Sequence, residues 1–151
     1  MTWDPDDKLR TALHYAGQAI VARSFDKVPE RVRLNVSFED GKMDGLHKGW
    51  LSDLSVIAQI AIALAGYEAE QAFHPPGRKE KAKYDLREVR RLLQANGTPE
   101  PDPAGQAIKE QGRALARDRL VQHSAKLHRL AQRLLEDHEF DRHAFEALMA
   151  E

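Results

Sequence analysis

The chain has 151 residues, a length that fits one domain able to bury a core. Hydrophobic residues make up 42% and the formal net charge is -1, so disorder throughout is excluded and no overall charge draws the chain to nucleic acid or an anionic membrane. There is no cysteine, which excludes disulfides and thiolate metal sites and leaves His, Asp and Glu as the ligands for any metal.

Asp4-Pro5 reads as a helix start, with Asp as N-cap, Pro at the first helical position and Asp6 and Asp7 at the positive end of the dipole. Leu9, Leu13, Ala16 and Ile20 follow at helical spacing, which predicts a helix to about Arg23, broken by Val28-Pro29. Residues 31–38 alternate apolar Val32, Leu34, Val36 and Phe38 with polar residues, the pattern of a half-buried strand. Residues 39–42 read as a turn and residues 43–48 as a short partner strand; such a hairpin must lie against helices to be stable.

Ser52 or Asp53 is a candidate cap for the next helix, expected to run to about Phe73. Its first half is apolar almost all round, which marks it as central and buried, and Gly66 with its neighbouring alanines allows close backbone approach. His74-Pro75-Pro76-Gly77 ends it, and residues 79–95 read as a further helix stopped by Asn96-Gly97. Prolines 99, 101 and 103 predict an extended loop. A long helix is then expected over about 104–137, with Leu120, Leu127 and Leu134 on one side, and Asp141 caps a final short helix to about Met149. The reading is a mostly α single domain over residues 1–151 with a small β-hairpin.

The acidic start is unlike a secretory leader, and the longest apolar stretch, 54–66, is too short to span a membrane, which needs about 20 residues. A cytoplasmic protein without membrane contact is therefore expected. Residues 78–91 hold seven basic residues against three acidic, but only Tyr84 could stack on a base, so a solvated helix start is the expectation and nucleic-acid binding is not. His123 and His128, and His138 and His143, lack helical ligand spacing and are expected to be solvated. Trp3 and Trp50 suit either a core or an interface.

The stretch Thr11-Ala-Leu-His-Tyr-Ala-Gly-Gln-Ala-Ile20 carries the chemical question. In H-E-x-x-H, residues i and i+4 place two imidazoles on one zinc, with glutamate beside them as general base. Here His14 and Gln18 hold the two ligand places and Tyr15 the place of the base. A glutamine carbonyl is a weak, neutral zinc donor. Tyrosine, with a reference pKa of about 10, stays protonated at neutral pH.

Residues 11–23 resemble the T-A-x-H-E-A-G-H-A-x-V helix of the FtsH-type ATP-dependent zinc metallopeptidases, proteolytic domain only. Ile60 to Gly66 followed by Ala69-Glu70 is similar to that family's helix ending in A-E-E. Tyr84-Asp85-Leu86 is similar to its S-D-x motif, and the closing segment 125–149 to its last helices. The resemblance implies an FtsH-type peptidase fold in which His14 matches the first zinc histidine and Asp85 the carboxylate ligand. Gln18 and Tyr15 match the second histidine and the catalytic glutamate and depart from both; Glu70 is expected to support the site. The implied function is a stand-alone, catalytically inactive peptidase-like module with a remnant cleft in which His14, Gln18 and Asp85 hydrogen-bond one another. It would bind a peptide or protein partner or self-associate as a homo-oligomer. No intact catalytic residue and no cofactor are expected; zinc would bind weakly, and ATP not at all, since no P-loop motif is present. The alternative is an active zinc-dependent peptidase or hydrolase with a modified site built on His14 and Asp85.

Overall fold

The computed structural model describes residues 4–45 and 48–151, apart from the Lys48 side chain. Seven helices and three strands are found among the described residues. Helix α1 is Pro5–Arg23, capped as expected: the Asp4 side chain accepts a hydrogen bond from the Asp6 amide. Strands β1 (Arg31–Leu34) and β2 (Gly41–Asp44) form an antiparallel hairpin. After the short α2 (Lys48–Leu51) come α3 (Val56–Phe73), α4 (Lys83–Ala95), α5 (Pro103–Gln122) and α6 (Ser124–Asp137). Strand β3 (Glu139–Asp141) and α7 (Arg142–Met149) close the chain. The architecture is mostly α with one small antiparallel sheet.

Helix α3 is central. One side, with Ala61, Ile62, Ala65 and Ala69, packs into the main core formed with α1, α5 and α6. Another, with Ile60 and Leu64, meets Val89, Leu92 and Leu93 of α4 in a second apolar cluster. An all-round apolar helix is stable only when it is surrounded in this way. Leu120, Leu127 and Leu134 are all fully buried in the main core.

Several boundaries differ from the sequence expectations, each for a local reason. Strand β1 stops at Leu34 because Asn35 turns the chain. Its Oδ1 accepts from the Ser37 hydroxyl at 2.9 Å and the Glu39 amide at 3.0 Å, and its amide donates to the Asp40 carbonyl at 2.9 Å. The loop thus covers 35–40, Val36 is 88% exposed, and the return strand begins at Gly41. Of the return strand expected over 43–48, residues 46 and 47 lie outside the described residues, as does Trp3. The sheet also has a third strand: β3 pairs with β1 on its other edge, giving the order β2-β1-β3.

Helix α3 is capped by Ser55, whose hydroxyl accepts from the Ala58 amide at 3.1 Å, not by Ser52 or Asp53. Residues 79–82 form turns, so α4 begins at Lys83. The expected long helix breaks at His123, which leaves helical geometry (φ -115°, ψ 27°) between α5 and α6. No glycine or proline marks that break, and the leucine spacing runs through it.

Of the histidines expected to be solvated, His128 and His143 are exposed and His138 differs. His138 adopts a left-handed conformation (φ +64°) at the end of α6, and its ring lies 4.4 Å from that of Phe38. It is packed rather than solvated. His128 is exposed, with Nδ1 on the Ser124 carbonyl and its ring edge-on to Phe73.

The shared burial of the three leucines yields a stability prediction. Leu127→Ala should lower the unfolding free energy by about 2–5 kcal/mol, the range for truncating a buried leucine. Urea titration followed by far-UV circular dichroism measures it; a loss below about 1 kcal/mol would contradict the packing described.

A buried histidine between two carboxylates

The residues singled out in the sequence come together around His14. The imidazole is 7% exposed and projects from α1 against α3. It fits there because Gly66 of α3 has no side chain: a Cβ at Gly66 would lie 2.4 Å from His14 Nε2. The close approach expected at Gly66 is therefore made by a side chain rather than by a neighbouring backbone.

One turn further along α3, fully buried Glu70 receives the His14 Nδ1 hydrogen bond on Oε2 at 2.8 Å. Its other oxygen accepts from Arg78, at 2.7 Å from Nε and 3.3 Å from the backbone amide. On the opposite side of the ring, Nε2 lies 3.5 Å from Asp85 Oδ2, carried by the first turn of α4. Burial alone would push the His14 pKa down. Hydrogen bonds and charge from Asp85 and Glu70 outweigh it and raise the pKa to about 9. Burial likewise opposes ionisation of Glu70, but the hydrogen bonds from His14 and Arg78 hold it below the usual carboxylate range.

Tyr15 points elsewhere. Its hydroxyl donates to Asp40 Oδ1 at 2.5 Å, tying α1 to the end of the hairpin loop. Burial first, and then the hydrogen bond to Asp40, raise its pKa far above the ordinary tyrosine value. A proton held this firmly cannot be exchanged for general-base work near neutral pH. Gln18 is half-buried and lines a groove with Asp85. No hydrogen bond joins Gln18 to His14 or Asp85 among the described residues, so the expected three-way cluster is corrected. The partners of His14 are Glu70 and Asp85, and Glu70 is the closer.

Tested as a zinc site, the set falls short. His14 Nε2 and Asp85 Oδ2 are spaced much as two donors on one tetrahedral ion, about 3.3 Å apart at the usual bond lengths of about 2.0 Å. Catalytic zinc takes three protein ligands, and the third place is held by a neutral amide, Gln18. The imidazole must also give up its proton before it can bind a metal. These residues do not fit a catalytic zinc, and no step through a metal is derived.

Beside the cluster runs a groove of about 600 Å³ between α3 and α4. Leu51, Ile62, Ala63 and Leu92 supply its apolar wall; Gln18, Asp85 and Tyr84 stand among its polar lining. Tyr84 is 77% exposed, and Arg87 lies over its ring at 5.5 Å from the centroid. Sequence reasoning did not single out Arg78 and Asp40, the partners of Glu70 and Tyr15. Arg78 stood in a basic run that read as solvated, and nothing local marks a long-range ion pair.

Two predictions follow from the charges. Removing the Glu70 carboxylate in Glu70→Ala leaves Arg78 without its carboxylate partner and the His14 imidazolium with Asp85 alone, and should cost about 3–5 kcal/mol in urea unfolding. Because the folded pKa of His14 lies above the ordinary histidine value of about 6.5, its contribution is complete below about pH 6.5 and is lost as pH rises through about 9. The urea midpoint of the wild type should therefore fall between pH 7 and pH 9.5 more steeply than that of His14→Gln; parallel profiles would contradict the assignment. No protein-family model matches this chain, and no curated protein matches it.

Proposed function

We propose that the chain is a metallopeptidase-like domain of the FtsH type that has exchanged hydrolysis for binding. It takes a peptide or partner protein, or a second copy of itself, in the groove beside His14. The observation that carries this reading is the state of His14: both ring nitrogens face carboxylates, so the proton is retained and the ring serves structure. The residue in the place of the general base, Tyr15, is bound to Asp40. The sequence blocks that resemble the peptidases support the family, and the spatial meeting of His14, Glu70 and Asp85 supports the alignment of those blocks. Binding is supported by the groove itself, which joins an apolar wall to polar groups, the usual make-up of a site for a mixed ligand.

The alternative is a zinc-dependent hydrolase using His14 and Asp85, favoured only by their donor-like spacing. Two measurements separate the readings. Elemental analysis of protein purified without chelator should find far less than one zinc per chain, and a fluorogenic peptide should remain uncleaved with or without added zinc. Stoichiometric zinc together with chelator-sensitive cleavage would overturn the proposal. Ala63→Trp, which fills the groove from its α3 wall, should weaken binding of any peptide ligand about tenfold while leaving the thermal midpoint within a few degrees.

A further inference from the structure

On the Tyr15 side of His14 lies a second, smaller space that the reading above does not use. It is a cavity of about 40 Å³ lined by Thr11, His14, Tyr15, Asp40, Arg78 and Lys81, with Glu39 at its edge. Two of these residues carry buried polar atoms that have no hydrogen-bond partner among the described residues: the Thr11 hydroxyl and Arg78 Nη1. Thr11 is 1% exposed, so its hydroxyl has no bulk water to turn to. A buried polar atom left unpaired costs about 1–3 kcal/mol, and two that line one cavity point to an acceptor belonging there.

Several other polar groups around the space are committed. Arg78 Nε is on Glu70, the Tyr15 hydroxyl is on Asp40, and Asp40 Oδ1 also accepts from the Gly41 amide at 2.8 Å. The Lys81 ammonium donates to the Glu39 carbonyl at 3.1 Å. The two vacant positions are thus a hydroxyl, which can donate, and a guanidinium N–H, which only donates. They call for a small group with two acceptor atoms. One water needs about 10–15 Å³ of such space, so the cavity takes about three heavy atoms, the size of a single carboxylate. Guanidinium and hydroxyl donors suit that group, since charge-assisted bonds to a carboxylate are about twice as strong as neutral ones. The cavity shares Arg78 and Lys81 with a wider cleft of about 430 Å³ that also contains Lys79, Asp7 and Glu80, which gives a carboxylate a route in and room for whatever carries it.

We propose that Thr11 and Arg78 form a recognition site for a single carboxylate, entering from the cleft of Lys79 and Lys81. The carboxylate can belong to a small free acid or to the C-terminus of a peptide. The site is separate from the groove at α4, and the proposal stands whether or not that groove binds anything.

Sodium formate and acetate, titrated against sodium chloride at constant ionic strength, probe the site directly. Formate should raise the thermal midpoint saturably where chloride does not. Thr11→Val, which keeps the shape and removes the hydroxyl, should weaken formate binding about tenfold, the loss of one charge-assisted bond. Thr11→Ser should retain binding, and Arg78→Lys, which keeps a cation for Glu70 but loses the second N–H, should weaken it similarly. A short peptide with a free C-terminus that displaces formate, while its amide does not, assigns the site to chain ends; displacement by neither assigns it to free acids. No saturable response to formate or acetate in the wild type would leave the cavity to water and overturn the proposal. An equal response in wild type and folded Thr11→Val would overturn it too.

Discussion

The buried carboxylate of Glu70 is the constraint on which the arrangement of this domain depends. A fully buried anion is tolerated only when cations meet it with good geometry. Here the cations come from two distant places: His14 on α1 and Arg78 in the turns before α4. One side chain therefore fixes how α1 crosses α3 and where the chain re-enters toward α4, which in turn sets Asp85 against the far side of the same imidazole. Gly66, one turn earlier on α3, opens the space that the ring occupies. The chemistry of the site follows from this use: a histidine that holds its proton to satisfy a buried charge is not a free donor for a metal.

Helix α3 carries a second buried carboxylate two residues away. Positions 68 and 70 are about 200° apart around a helix, so the two acids face nearly opposite sides. Glu68 takes Arg117 of α5 at 2.5 Å, with Arg113 further off at 3.8 Å. The central helix thus joins its neighbours by apolar contact along its length and by one buried carboxylate, met by two cations, on each side. Apolar contact is non-directional, whereas an ion pair has a required geometry. The combination sets the rotation and the axial position of α3, which a smooth surface of alanine and leucine would leave loosely determined.

Much of this was legible in the sequence, and the parts that were not share a cause. The Asp4 and Asp141 caps, the central place of α3 and the burial of the three leucines follow from local spacing and local chemistry, and they stand in the structure. The Asn35 turn was hidden because Val36 and Phe38 continue the alternation of β1, and alternation alone does not show where a side chain bends the backbone. The break at His123 was hidden because the leucine spacing on both sides remains in step. Around His14, the family resemblance pointed to a cluster of His14, Gln18 and Asp85 with Glu70 in support, and the structure instead makes Glu70 and Asp85 the partners of the imidazole. The choice of partners did not follow from the resemblance, because it depends on Arg78, whose role is set by a contact with α3 that nothing next to it in sequence reveals.

Strand β1 lies between two partners of different origin, one a few residues away and the other at the far end of the chain. The pairing of Arg31–Arg33 with Glu139–Asp141 cannot form until α6 has brought the chain back, so it carries a larger loop-closure entropy than the β1–β2 hairpin. Until residues 139–141 are in place, that edge of β1 is open. An unpaired edge is the kind of surface at which one chain captures another. Strand β3 therefore does two things at once: it completes the sheet and it covers an edge of β1 that would otherwise present unpaired backbone groups.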